Sequence, residues 1–103
     1  MSSELAEERK LIFINLLNNV PVENVAQAFH RDSVAAVMDD FKFVALKIKS
    51  YMFARAMPFI PLDTVAEAMQ NKFQVLDILA KVNLDVLPEF TKVSANKLED
   101  VYL

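Results

Sequence analysis

The sequence predicts an all-α protein: a compact bundle of about five to seven helices built from two tandem copies of one helical unit. Three observations carry this. Glycine is absent from all 103 residues, which disfavours turns with a left-handed backbone and nearly excludes tight two-residue hairpins. Apolar residues fall on single helical faces, as with Leu5, Ile12, Phe13, Leu16 and Leu17. Finally, residues 10–29 align without a gap on residues 50–69, with five identical pairs: Phe13/Phe53, Pro21/Pro61, Val25/Val65, Ala26/Ala66 and Ala28/Ala68. Average composition gives about one or two identities in that many positions. The chain is read as one domain, 1–103, with the repeat over 10–40 and 50–82 and a helical extension over 86–103.

The first helix is expected to start after Ser3 as N-cap and to run to about Asn19. Pro21 opens a short helix over about 22–29, because its fixed φ suits a first turn and its missing N–H would be unsatisfied there anyway. Ser33 caps a third helix, and Asp39-Asp40 either interrupts it or caps a new one. From Phe41 to Met57 runs a helix with two apolar stripes, Phe41/Val44/Ile48/Met52 and Phe43/Leu46/Phe53/Met57. A helix apolar on two sides is central in the fold or shared with another subunit. Pro58 and Pro61 end it. The second copy continues with a helix over 62–69, a turn at Gln70-Asn71 and a helix over 72–82, and Pro88 opens the final stretch. Its apolar pattern is still running at Tyr102-Leu103, so that end docks on the core or a longer protein continues.

Composition excludes several classes. There is no cysteine and one histidine, so disulfides are absent and a zinc site would rest on carboxylates. The polar, acidic N-terminus is unlike a signal peptide, and no apolar run approaches the roughly 20 residues of a membrane helix. A soluble, cytoplasmic protein is expected. Net charge is −3, which argues against holding nucleic acid by bulk charge. The one electropositive stretch lies between Phe41 and Leu62, with Lys42, Lys47, Lys49 and Arg55 and no acidic residue.

Little in the chain suggests catalysis. His30-Arg31-Asp32-Ser33 contains three triad residue types, but a triad converges in space and not by adjacency; a polar turn with a serine cap accounts for all four. Without glycine there is no phosphate-cradling loop or dinucleotide fingerprint. Asp39-Asp40 is more simply a helix cap than a metal site, and the internal methionines are core filler. No enzyme, metal or cofactor is expected.

The arrangement of short helix, polar turn and short helix resembles helix-turn-helix DNA-binding domains. In the second copy Val65, Met69, Leu76 and Leu79 stand where such a motif is apolar, with Ala66 at the close crossing. Over residues 8–37, ERKLIFINLLNNVPVENVAQAFHRDSVAAV, the chain is similar to the N-terminal region of phage small terminase subunits and related regulators, with Ala26 at their alanine position. The resemblance implies recognition of viral DNA and regulation of a packaging motor, in a host cytoplasm. It departs at the turn glycine, which is His30 in one copy and Gln70 in the other, and the first reading helix carries no cation.

The expectation is therefore a non-enzymatic, oligomeric helix-turn-helix-like domain that binds duplex DNA or regulates its packaging. Asn71, Lys72, Gln74 and Lys81 of the second copy would face DNA, where lysine contacts phosphate and glutamine pairs with adenine. Lys42 and Lys49 of the basic stretch would assist. Self-association would use Phe43, Leu46, Phe53 and Met57. The alternative is a helical adaptor that binds another protein and no nucleic acid.

Overall fold

The computed structural model describes residues 2–85, so the expected extension over 86–103 lies outside the described residues. Five helices follow one another: α1 (Ser2–Leu17), α2 (Val22–Ala28), α3 (Val34–Ala54), α4 (Val65–Gln70) and α5 (Lys72–Leu79). No strand occurs among the described residues, and none of their helices is long and apolar enough to cross a membrane.

Helix α3 is the axis of the fold. Its stripe Phe41, Val44, Ile48 and Met52 is fully buried, and it packs against α1, α2 and α5. Facing it from α1 are Ile12, Phe13 and Leu16, also buried. The Phe13 and Phe41 rings stack with centroids 5.1 Å apart and planes 13° from parallel, an arrangement that adds about 0.5–1.5 kcal/mol to what their burial contributes. Between α3 and α4, buried Ile60 and Leu62 pin the connecting segment to the core.

Several expected boundaries are corrected. Helix α1 begins at Ser2, so Ser3 lies inside it and is not its N-cap. Asp39-Asp40 neither breaks nor caps a helix: α3 runs through both, because the Asp40 carboxylate turns inward onto two arginines while Asp39 faces solvent. Ser33 does cap α3, its hydroxyl accepting from the Ala36 amide at 3.2 Å. Pro21 directly precedes α2, as its fixed φ favours. Pro61 does not open α4. That helix starts three residues further on behind Thr64, whose hydroxyl accepts from the Glu67 amide at 3.2 Å while the Glu67 side chain reaches back to it, a capping pair.

Later phasing gives the aligned positions different surroundings. Phe13 is buried whereas Phe53 is 41% exposed, and Ala26 is buried whereas Ala66 is exposed, with Ala68 taking the inward place in α4.

The absence of glycine does not spare the chain left-handed turns. Asn19, His30 and Ala56 have φ of 65°, 56° and 52°, and each sits one residue past a helix C-cap. In each case the residue itself bonds back three positions, and the next residue bonds back five: Asn19 to Leu16 and Val20 to Asn15, His30 to Gln27 and Arg31 to Ala26, Ala56 to Phe53 and Met57 to Met52. This is the Schellman termination, which ordinarily uses glycine. After α1 and α3 the second of these residues, Val20 or Met57, packs against the core; after α2 it is Arg31.

Alanine has no side chain to offset a left-handed backbone. Ala56→Gly is therefore expected to stabilise the protein by about 0.5–1 kcal/mol, after the entropy glycine adds to the unfolded chain. Urea denaturation, read as a higher midpoint at unchanged slope, checks this.

Candidate functional site

The second-copy residues expected to face DNA lie in and around α5, which a single residue joins to α4. Asn71 is the C-cap of α4 and the N-cap of α5. Its side-chain amide donates to the Glu67 carbonyl at 3.1 Å and its own carbonyl accepts from the Val75 amide. An amide expected to face DNA is thus engaged in closing α4. Val75, Ile78 and Leu79 bury the inner side of α5. Lys72 is half-buried and Gln74 exposed, while Lys81 lies beyond the end of α5, paired with Asp77 at 3.2 Å. Both members of that pair are largely exposed, so it contributes at most a few tenths of a kcal/mol.

The basic stretch of α3 is not a basic surface. Lys42 is exposed. Lys49, 7% exposed, donates from its ammonium to Asp63 at 2.8 Å. Lys47, 4% exposed, rests with its ammonium 5.3 Å from the centre of the Phe43 ring, and burial pushes its pKa below the ordinary 10.5. The Arg55 guanidinium carbon sits over the Tyr51 ring, 3.7 Å from its centre. The central position of α3 is the reason: two of the four cations fall on sides where other elements cover the helix.

The expected oligomer face is likewise broken up. Phe43 is half-buried under the Arg9 guanidinium, 4.1 Å above the ring, with Lys47 beside it. Leu46 and Met57 are half-buried, and only Phe53 of the four is exposed. A ring covered by two cations is not an apolar contact surface.

The densest polar constellation is structural. Asp40 accepts from Arg9 at 3.2 Å through one oxygen and from Arg31 at 2.8 Å through the other. Arg31 also pairs with Glu8 and donates to the Phe29 carbonyl at 2.9 Å. These bonds join α1, the turn after α2, and α3. Asp40 contributes most to holding the Arg31 guanidinium above its ordinary pKa. His30 and Asp32 beside it are exposed and Ser33 is used as a cap, so the four adjacent residues do not converge. Among the described residues no group of three histidine or acidic side chains is placed to hold a metal.

Phe73, which the sequence reading passes over, is 88% exposed at the first turn of α5. It lines an open concavity of about 360 Å³ with Met69, Gln70, Asn71, Lys72 and Gln74. The signal was available: with Val75, Ile78 and Leu79 inward, helical spacing puts residue 73 on the opposite side. A second concavity of similar size, between α1 and the segment after α5, presents Glu7 and Asp85 together with Lys10 and Lys81, a mixture that favours neither sign of ligand. Comparison with protein-family models, with curated proteins and with solved structures finds no match.

Asp40→Ala leaves two guanidiniums facing one another, partly buried. It is expected to cost about 2–4 kcal/mol, toward the lower end for a broken buried pair because both arginines keep some water; thermal or urea unfolding measures it. Lys47→Met should raise the melting temperature, since the stem still packs and the buried charge is gone. The pH dependence has the matching sign. The folded chain releases the Lys47 proton below 10.5, so between its folded and unfolded pKa the unfolded chain binds more protons and this group's contribution to stability rises with pH. That rise should be missing from Lys47→Met and so appear in the difference between wild type and the variant.

Proposed function

We propose that this chain is a non-enzymatic helical module that makes protein contacts and does not bind nucleic acid. The observation that carries the reading is Phe73: an aromatic ring 88% exposed on a two-turn helix whose other side is anchored in the core. Exposed aromatics of this kind are the usual anchors of protein interfaces. The electrostatics agree. Lys49 is paired with Asp63, Lys81 with Asp77, and Arg9 and Arg31 with Asp40, so two of the four lysines expected to meet DNA, Lys49 and Lys81, already face an acid within the fold.

A second reading, a helix-turn-helix DNA-binding or packaging-regulatory domain, is favoured by one observation. In the first of the two tandem units read from the sequence, α2 and α3 are separated by His30-Arg31-Asp32 between their caps, and His30 takes the left-handed backbone where the related domains use glycine. The charges do not follow. Val34, Ala35 and Asp39 are exposed on the first two turns of α3, and Lys42 is its first cation. The second unit has Lys72, Gln74 and Lys81 but joins its helices through Asn71 alone, without the three- or four-residue turn.

Titration with labelled duplex DNA at about 20–50 mM salt, where phosphate contacts are strongest, separates the two. No binding is expected. Binding that weakens steeply with added salt, and that Lys42→Glu or Lys72→Glu reduces, would overturn the protein-contact reading in favour of DNA.

A further inference from the structure

The outer side of α5 has a pattern suited to one particular partner. Phe73 and Ala80 are exposed and Leu76 is half-buried. Their spacing of three and then four residues is the seam along which two helices pair, and half-buried Met69, four residues before Phe73, borders the same concavity. Lys72 stands on one flank of this seam and Asp77, five residues later, on the other. When two such helices lie side by side in parallel, flanking charges at that separation meet across the interface. Two identical copies would therefore bring each Lys72 to the other's Asp77, twice over by symmetry. The existing partner of Asp77 does not prevent this, since its bond to Lys81 is an exposed i, i+4 pair.

We infer that the outer face of α5 binds a second copy of this chain, with Phe73 and Leu76 in the seam and Lys72–Asp77 pairs on both sides. The inference rests on the protein-contact reading and supplies its partner. Charge selects that partner: the face is self-complementary, so two copies attract, whereas a uniformly basic or acidic partner would find one of the two flanking charges repulsive. Two helical turns form a small interface, at the low end of specific associations, and the association is correspondingly weak.

Sedimentation velocity on the full chain, up to about 1 mM so that even a weak dimer is populated, provides the test. Wild type should shift from monomer to dimer with concentration. Phe73→Ala should weaken the association at least tenfold with the helical circular dichroism unchanged, because the residue it alters touches little of the core. Lys72→Asp and Asp77→Lys should each be monomeric alone, one carrying two acids and the other two bases along the seam. Mixed one to one, they should associate again. A wild type that stays monomeric at the highest concentration overturns the pairing, and the face then serves a different protein; so does a dimer that Phe73→Ala leaves intact. Failure of the mixture to recover association overturns the parallel register. Each of these outcomes leaves the protein-contact reading to the DNA titration, whose positive result would defeat that reading whatever the oligomeric state.

Discussion

One carboxylate between two guanidiniums permits the rest of the architecture. Asp39-Asp40 would ordinarily mark the start of a helix, since aspartate prefers caps to interiors. Here Asp40 is turned inward and shared by Arg9 and Arg31, so α3 continues for 21 residues. Three of the other four helices pack against that length. The stripe from Phe41 to Met52 is fully buried on the helix that α1, α2 and α5 pack against. A break at residue 39 would leave two short helices, each too brief to hold its form without tertiary support.

The same bonds explain why composition misleads about the surface. Counting places four cations and no acid between residues 41 and 62, yet Lys49 meets Asp63 just past that window, and Lys47 is drawn under the body of the fold. Linear charge patterns register neighbours in sequence, whereas neutralisation here occurs between residues 14, 23 and 31 positions apart. The face with an interface-like composition is instead on α5, where one aromatic ring is fully offered and the charges around it alternate in sign.

The class of fold and the central helix were legible because both follow from local periodicity. Phe41, Val44, Ile48 and Met52 are one buried face whatever surrounds them, and Ser33 and Pro21 act as their chemistry dictates at helix starts. Two things were not legible. The repeated residues suggested equal helices, but Thr64, which aligns with Asn24 and is not one of the identical pairs, captured the start of α4 and rotated Ala66 outward. Missing glycine suggested few left-handed residues, but three helix ends adopt them with asparagine, histidine and alanine. Chain reversal was required there, and the paired backbone bonds of each ending outweigh a steric cost of about 1–2 kcal/mol. At the expected site, what the sequence could not supply was the partner of each polar side chain: Asn71 and Lys81 are of a binding type, but each already has a bond inside the fold.

The single-residue joint at Asn71 has a consequence for how the α5 surface exists in time. Six- and eight-residue helices have no standing of their own in water, and α4 and α5 keep their shape through Ala68, Val75, Ile78 and Leu79 against the core. Should this pair lift away as a unit while the Phe13–Phe41 stack stays closed, the outward face would dissolve with it, because a seam residue is positioned only while its helix is wound. In that event the surface would be a property of a subglobal state. Its amides would exchange with solvent together, at the free energy of that partial opening and not of global unfolding. Anything that occupied the face would slow that exchange in both helices at once, including positions it never touched.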